Sequence, residues 1–410
     1  MSGNGGIGTL LIVLIVLAVA GGVFFIARRQ AYLKSLRDQG WAFENSPTLE
    51  VTYGLNAPPF GLGFERSVDD LISGTTHAGV PFRVFEYSTV RGYVAVFDLP
   101  WVLPEAFISL PGAGRPGVTG LAQQYGAWQV VTQDQAFAAA LMSTVGHVLD
   151  GAAATQPLNL SIDGRALVVL DAPHAAEPLA AYLDNVGAIA QAIAGSDLGR
   201  FAGGSLPSEL SVYGHPDWVY RPSDDRFLAE VEHETGGDDH EARHVLLAEL
   251  AGGIRMIGLN HHWTTTRIVT ETDSRGHTTT RTVTDHHDEP ILEFQLPWPF
   301  GDLSVNMPWT GDRVRLESSD FNAAYQVRCD YPKFAMDVFH PRQMEFMLRA
   351  APYPFATRNG RMMVKLDRYE QDAVAGMAAF TVAFFAGVPN FVWEDLGLRE
   401  PPVDPQLAGF

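Results

Sequence analysis

The longest uninterrupted apolar pattern lies at the N-terminus, where Ile7–Ala27 contains no charged side chain. Because a helix rises 1.5 Å per residue, about 20 such residues cross the hydrocarbon layer of a bilayer. We therefore expect a membrane-spanning helix over 7–27, within an anchor and juxtamembrane segment over 1–39. A cleaved signal peptide is the alternative, because Ala18–Ala20 resembles a cleavage site, although no basic residue precedes the apolar run.

Basic residues directly after this run indicate its orientation. Arg28, Arg29, Lys34 and Arg37 follow the apolar segment, and no Lys or Arg precedes it. Since basic flanks stay on the cytoplasmic side, we expect a single-pass protein of the plasma membrane. Its N-terminus would lie outside and its C-terminal domains in the cytoplasm. The same four cations could contact anionic lipid headgroups of the bilayer.

An internal repeat organises the remaining chain. The pattern Phe-x-Leu-Pro-Trp occurs at Phe97–Trp101 and again at Phe294–Trp298, and further matches follow both copies without a gap. A period this long is typical of a duplicated domain rather than a solenoid repeat. The repeat predicts two domains, over 40–213 and 217–397, followed by a C-terminal tail over 398–410.

The hydrophobic pattern of the two copies predicts the same elements in each. We expect an early short helix, a strand after the shared motif, a middle helix and a closing Ala-rich helix. In chain order these are Ser67–Ser73, Trp128–Thr132, Gln135–Leu149 and Pro178–Ala194 in the first copy, and Asp239–Leu250, Tyr325–Cys329, Pro332–Leu348 and Asp372–Gly387 in the second.

Tight-turn signals set the fold class. Asp163-Gly164 and Asn359-Gly360 each predict a hairpin with a type I′ turn between two strands. Strand clusters joined by such turns, with helices between them, favour an antiparallel α+β fold. We therefore predict an N-terminal transmembrane helix followed by two tandem, pseudo-symmetric α+β repeat domains. Residues 373–388 are apolar all round and fit a buried core helix, with a re-entrant or membrane-lying helix as the alternative.

One stretch of the second copy resembles a known family. The sequence over Leu316–Asp330, followed by Pro341–Leu348, resembles a bacterial domain of unknown function found in membrane-anchored proteins. That family pairs a Phe/Tyr/Val strand with a Pro-x-x-Met helix, and the resemblance extends over roughly 292–366. The first copy departs from the helix pattern. The resemblance implies an architecture and a membrane location, and it brings no activity.

Charge and cysteine content exclude several function classes. The chain of 410 residues carries 28 Lys and Arg against 47 Asp and Glu, a formal net charge of −19. Such a balance argues against nucleic acid as a partner, because phosphate recognition needs clustered cations. Cys329 is the single cysteine, which excludes an intramolecular disulfide framework.

The clearest chemical motif is His-Glu-x-x-His at His240, Glu241 and His244. On a helix these two imidazoles would share a face and could bind zinc, with Glu241 activating a water molecule. Glu271 or a downstream histidine would complete the ligand set. The other interpretation is an exposed polar helix face without metal, because the equivalent segment Ser67–Ser73 contains no ligand.

A second histidine group brackets a Thr- and Arg-rich hairpin over 261–287. The sequence is nearly symmetric about Ser274, which would pair His262 with His286 and His261 with His287. Four imidazoles would then meet at the hairpin base, with cross-strand Cβ atoms about 5 Å apart, close enough to coordinate one metal ion or to act as a pH sensor. The alternatives are a plain exposed ribbon and an edge that adds a strand to a partner.

The sequence favours a non-catalytic interaction or scaffold protein with an unidentified protein partner, because neither copy contains a paired catalytic set. In this interpretation the chain binds no cofactor. A metal-dependent hydrolase centred on His240, Glu241 and His244 is the first alternative, with zinc as its cofactor. A ligand-sensing module is the second.

Overall fold

The computed structural model describes residues 23–88, 90, 92–113, 117–153, 158–272, 278–307 and 311–409. The described chain forms two compact units. The first contains the described residues up to Gly61 together with those of Glu65–Gly214, and the second contains Leu62–Phe64 and those from His215 onward. Most of the predicted membrane span, 7–22, lies outside the described residues.

The first unit contains a helix, a sheet of seven described strands and two further helices. Helix α1 covers 23–38 in the described chain. The strands are β1 Ala42–Glu44, β2 Val68–Thr75, β3 Pro81–Tyr87, β4 Tyr93–Ser109, β5 Leu121–Tyr125, β6 Trp128–Thr132 and β7 Leu160–Ala172. The helices after α1 are α2 Gln135–Ala153 and α3 Ala176–Ala194.

Antiparallel pairing in the first unit follows the order β1-β2-β3-β4-β6-β5, and β7 pairs with β4. Helices α2 and α3 cover one face of this sheet, where Leu141 and Val186 pack with sheet residues such as Phe97. The other face carries a second apolar cluster around Phe60 and Phe85. Both faces of the sheet therefore carry buried apolar side chains.

The second unit has a larger sheet. Its strands are β8 Val219–Ser223, β9 Asp238–Leu250, β10 Ile254–Thr272, β11 Thr278–Gln295, β12 Leu303–Val305, β13 Asp312–Val314, β14 Val327–Cys329, β15 Phe355–Arg358 and β16 Arg361–Val364. Its helices are α4 Ser319–Ala324, α5 Pro332–Val338, α6 Pro341–Ala350, α7 Gln371–Ala386 and α8 Asn390–Asp395.

Antiparallel pairing in the second unit follows the order β13-β14-β12-β15-β16-β11-β10-β9-β8. Helix α7 is a core helix, as its apolar sequence predicts. Phe380 and Phe384 of α7 place their rings 5.6 and 5.5 Å from that of Phe355 on β15. The prediction of an antiparallel α+β fold is confirmed, because every pairing among the described strands is antiparallel.

A β-bulge occurs at the same place in both units. In the first, the pairing of β2 with β3 shifts between Asp69 and Ile72, and Asp70 has φ of 50°. In the second, the pairing of β9 with β10 shifts between Arg243 and Leu246, and His244 has φ of 54°. A non-glycine residue rarely adopts positive φ. This shared irregularity fits the duplication that the sequence repeat indicates.

The prediction of an early helix in each unit is wrong. The segment expected as a helix at Ser67–Ser73 is strand β2 from Val68 onward, and Asp239–Leu250 lies within strand β9. Each strand pairs on both sides, with β1 and β3 in the first unit and with β8 and β10 in the second. Tertiary hydrogen bonding therefore overrides the weak helical pattern of these short segments.

Only one of the two predicted type I′ hairpins forms. Asn359-Gly360 connects β15 to β16, with φ of 50° and 73° at its two residues. Asp163-Gly164 instead lies within the continuous strand β7. The buried Asp163 carboxylate accepts hydrogen bonds from the backbone N–H groups of Asn56 and Ala57, at 2.8 and 2.9 Å. That distant partner segment holds the Asp-Gly pair inside the strand.

The middle helix of the second unit is interrupted where the sequence predicts one helix over Pro332–Leu348. Helix α5 ends at Val338 and α6 begins at Pro341. The residue before a proline disfavours helical backbone, and His340 is accordingly extended, with ψ of 166°. Proline then starts the second helix at a position where its missing N–H has no cost.

Within the described residues, α2 is the helix long and apolar enough to cross a membrane. Its apolar side chains, including Phe137, Leu141 and Val145, belong to the core of the first unit. Helix α1 has a different character. Its first described residues, Val23, Phe24, Phe25 and Ile26, are 62 to 69% exposed.

We expect the replacement of one glycine in each unit to lower its stability. A Cβ at Gly120 would lie 2.9 Å from the Thr132 backbone, and one at Gly311 would lie 2.7 Å from the Cys329 backbone. Both residues also have positive φ. Gly120→Ala and Gly311→Ala should each lower the free energy of unfolding by about 1–3 kcal/mol, measured by urea titration.

Gly376→Ala is the matched control for these glycine variants. Gly376 lies in α7, and a Cβ added there would have no contact within 4 Å, so alanine fits at this position. Alanine should leave stability unchanged or raise it by up to about 1 kcal/mol. Equal stabilities for all three variants would contradict the close backbone approaches.

Candidate metal centre

Three histidines from separate segments converge on one face of the second sheet. His240 lies on β9, His261 lies on β10, and His233 lies on the segment that leads into β9. One ring nitrogen from each lies within 4.8 Å of those from the other two. We refer to these three residues as the histidine triad.

Strand pairing brings His240 and His261 together. His261 is the cross-strand partner of Ala242, and His240 lies two residues from Ala242 on the same face of β9. The two imidazoles are therefore diagonal neighbours, with ring centroids 5.2 Å apart and planes 11° from parallel. Nδ1 of His240 lies 2.9 Å from Nε2 of His261.

His233 reaches the same place because its segment is anchored to the sheet. Val231 is buried in the small apolar cluster that also contains Leu259. The N–H of Glu232 donates a 2.7 Å hydrogen bond to the Glu293 carboxylate on β11. The centroid of the His233 ring then lies 4.9 Å from that of His261.

Glu293 is a buried anchor with one cationic partner. Its side chain is 2% exposed, and Nη1 of Arg361 on β16 lies 3.1 Å from Oε2. Burial raises the pKa of Glu293, while the Glu232 N–H and Arg361 oppose that rise. Arg361 also donates to the backbone carbonyl of Glu230. One ion pair therefore links β11 and β16 to the segment that carries His233.

The environment of His261 keeps its imidazole neutral. The residue is fully buried, and burial together with neighbouring His233 and His240 lowers its pKa to about 4. Glu234 acts in the opposite direction with a smaller effect. A neutral imidazole offers a lone pair at neutral pH, which is the form that binds metals.

The donor set fits a transition-metal dication. Zinc binds imidazole nitrogen at 2.0–2.1 Å, so ligand nitrogens in a tetrahedral site lie about 3.3 Å apart. In the triad, Nδ1 of His240 lies 2.9 Å from Nε2 of His261, and one nitrogen from each of the three rings lies within 4.8 Å of the others. His233 and His240 are only partly buried. Nδ1 of His261 is buried and has no hydrogen-bond partner among the described residues. Few buried polar atoms in a protein lack a partner, and a bound ion or water satisfies such an atom.

Aromatic stacking closes one side of the triad. The Trp263 ring lies 4.7 Å from that of His261 and 5.0 Å from that of His287, nearly parallel to both. His287 is held in turn by the Thr265 hydroxyl, whose Oγ1 lies 2.8 Å from Nε2. This stack holds the His261 ring in place.

The His-Glu-x-x-His motif does not form the predicted site. It lies on strand β9, and the bulge at His244 reverses the alternation of side chains after Ala242. His244 consequently stacks with Phe64 at 5.3 Å, and its Nδ1 lies 3.1 Å from the Tyr220 hydroxyl. His240 and His244, which a helix would align, are separated by this bulge.

The two carboxylates of that prediction also lie elsewhere. Glu241 follows His240 directly, so its side chain is directed to the opposite face of the strand. Its Oε2 lies 2.7 Å from Nη2 of Arg243. Glu271 lies far along β10, where it pairs with Arg281 across the hairpin at 2.9 Å. Neither carboxylate belongs to the triad.

The predicted group of four hairpin histidines is divided between two faces. The register pairs His262 with Asp288 and His261 with Glu289, two residues away from the symmetric pairing. His261 and His287 remain on one face, and His262 and His286 lie on the other.

On that second face, His262 and His286 stack with ring centroids 5.5 Å apart. Nδ1 of His262 lies 3.1 Å from the Asp288 carboxylate. The two faces thus hold separate histidine groups. Of the four predicted histidines, His261 alone belongs to the histidine triad.

Sequence reasoning found His240 and His261 in two different hypotheses and missed the role of His233. The available signal was the concentration of histidines between 233 and 287. The basic residues predicted to flank the membrane, Arg28, Arg29, Lys34 and Arg37, all lie on α1 in the first unit.

Comparisons with known proteins add little. No family model matches the chain, and no curated protein matches it. A solved structure that matches is the crystal structure of the mycobacterial trehalose monomycolate transport factor A, TtfA, with a TM-score of 0.31 and 12% identity. The match covers 42% of this chain and 94% of that chain. A similarity of this size supports no assignment.

We expect acid to destabilise the metal-free protein through His261. Since folding lowers its pKa to about 4, the unfolded chain takes up a proton between about pH 6.5 and 4 that the folded chain does not. The stability that neutral His261 contributes is therefore present above about pH 6.5 and is lost as the pH falls towards 4.

Urea unfolding of wild type and His261→Gln in EDTA, at pH 7.0, 5.5 and 4.5, measures this effect. The difference in unfolding free energy between the two proteins should shrink as the pH falls. Since the carboxylates titrate in both proteins, their contribution largely cancels in that difference. A pH-independent difference would contradict the buried, neutral state of His261.

Proposed function

We propose that this protein is a membrane-anchored, non-catalytic metal-binding protein whose second unit binds Zn²⁺ through the histidine triad. The observation that carries the proposal is the convergence of three ring nitrogens within 4.8 Å of one another, from three separate segments. Imidazole suits zinc and other late first-row dications, and three protein ligands leave at least one coordination position for water or another ligand.

The surroundings of the triad favour binding over hydrolysis. A hydrolase of the His-Glu-x-x-His type needs a carboxylate that activates the metal-bound water. Glu241, the candidate for that role, forms an ion pair with Arg243 on the opposite face of β9. The geometry therefore supports a site that holds a metal and uses it for structure or regulation.

The proposal that the chain is anchored in the plasma membrane rests on α1. Phe24 and Phe25 are 69 and 67% exposed in its first described turn, and in the sequence they directly continue the apolar run from Ile7. Arg28 and Arg29 follow within the next turn. Exposed apolar residues next to cations are typical of a helix leaving a bilayer, and the positive-inside rule favours a cytoplasmic location for both units.

We expect the full-length protein, purified in detergent without an affinity His-tag, to bind zinc at one equivalent. His233→Ala, His240→Ala and His261→Ala should each weaken zinc binding by more than about tenfold, because each removes a ligand. Elemental analysis gives the metal content, and competition with a chromophoric chelator gives the affinity.

His244→Ala and His286→Ala are the matched controls, because both histidines lie in the same sheet but outside the triad. Zinc affinity should be unchanged in both. His233 is partly exposed, so its alanine variant keeps the test valid if His261→Ala fails to fold. The proposal would be contradicted if His244→Ala lost zinc while His233→Ala retained it.

A second candidate function, protein binding, is favoured by the outer part of the β10–β11 hairpin. Strand β9 pairs with β10 only as far as Thr264, and β16 pairs with β11 only over Leu292–Gln295. Within the described chain, no third strand pairs with the hairpin beyond these points. Exposed strand edges can accept a strand from a partner, as a scaffold function requires.

Shortening the hairpin tests this second function. Thr266 and Thr284 are cross-strand partners, so Asn-Gly can replace 267–283 and close a two-residue turn. We expect a partner captured stoichiometrically from detergent extract by wild type to be lost with the shortened chain, while zinc content stays the same. Equal capture by both chains would exclude the hairpin as the binding edge.

A further inference from the structure

A cavity of about 610 Å³ lies where α1 meets the first sheet. It is lined by Phe25, Arg28 and Arg29 from α1, and on the sheet side mainly by Asp70 and Glu86. Its volume is in the range of small-molecule sites. Both signs of charge and several aromatic rings line the same space.

The cationic side of the cavity comes from α1. Arg28 is exposed, and it forms no ion pair within the described residues. Arg29 is held more firmly, since its guanidinium donates to the Asn45 side chain and lies 3.9 Å from the Asp70 carboxylate. A guanidinium pair of this kind offers several N–H donors to phosphate oxygens.

The anionic side comes from the sheet. The bulge in β2 places Asp70 at positive φ, and burial raises its pKa while Arg29 opposes that rise. Glu86 on β3 lies opposite Tyr93 of β4 in the strand register. Its carboxylate is 3.6 Å from Nδ1 of His174. Two carboxylates thus line the same cavity as the two guanidinium groups.

Aromatic rings complete the wall between these charges. The hydroxyls of Tyr32 and Tyr93 lie 3.0 Å apart, which links α1 to the sheet. The Tyr93 ring lies 4.3 Å from that of His174. Aromatic faces beside carboxylates are a favourable environment for an ammonium group.

We propose that this cavity binds a phosphate–ammonium zwitterion, the headgroup chemistry of phosphatidylethanolamine. The phosphate would contact Arg28 and Arg29, and the ammonium would lie between Asp70 and Glu86. The two carboxylates balance the two guanidinium groups, which favours a zwitterion over an anionic headgroup. Phe25, exposed at the cavity rim, would lie beside the acyl chains. This inference rests on the proposed membrane anchor.

The test uses the full-length chain in nonionic detergent with equimolar dioleoyl phosphatidylethanolamine and dioleoyl phosphatidylglycerol. Native mass spectrometry then measures which lipid stays bound. We expect at least fivefold preference for phosphatidylethanolamine in wild type. Asp70→Asn with Glu86→Gln should bring the ratio close to one, because the ammonium partners are removed. Asparagine tolerates positive φ, so the bulge is retained.

Asp69→Asn is the matched control, because Asp69 is an exposed neighbour on β2 outside the cavity. It should keep the wild-type preference. Equal retention of both lipids by wild type, or an unchanged preference in the double variant, would overturn the proposal. Failure of the proposed membrane anchor gives a different result, because the chain could then be extracted from membranes without detergent.

Titration with soluble phosphoethanolamine distinguishes the two sources of this headgroup. We expect no binding at millimolar concentration, because the free headgroup lacks the acyl chains that contact the apolar start of α1. If free phosphoethanolamine binds and displaces the lipid, the proposal that the bound headgroup belongs to a lipid is contradicted.

Discussion

The register of β10 between β9 and β11 is the constraint on which the second unit depends. Ile257, Leu259 and Ile291 are buried in one apolar cluster, while Leu292 and Phe294 are buried from the neighbouring positions of β11. A one-residue slip would exchange the two faces and take each of these side chains away from the partners with which it packs. Because the apolar half of the hairpin fixes the register, the polar half has no freedom to choose its own pairing, and the histidines take the positions that remain.

The shared bulge shows how one backbone irregularity was used differently in the two units. At the same point in the strand order, Asp70 contributes a carboxylate to a cavity, whereas His244 stacks in an aromatic group with Phe64 and Tyr220. Two residues opposite one on the partner strand redirect the side chains that follow. Two units with a bulge at the same point of the strand order can therefore keep their cores while the residue at the bulge differs in its chemistry.

The histidine triad is built on apolar packing and one buried ion pair. The segment that carries His233 is held by Val231 in the apolar cluster and by the hydrogen bond of Glu232 to Glu293, whose charge is balanced by Arg361. A buried carboxylate is costly without such partners. This arrangement holds a partly exposed histidine beside the buried His261 without a covalent link.

The sequence by itself determined the α+β class, the closing helices and the Asn359-Gly360 turn, because periodicity and turn chemistry are local properties of the chain. Only the tertiary structure decided that Asp239–Leu250 is a strand, since its hydrogen bonds come from β8 and β10. The triad depended on more still. A bulge removes His244 from it, a register set by distant apolar residues brings in His261, and a non-local anchor adds His233. None of these three causes is visible in the spacing of the histidines.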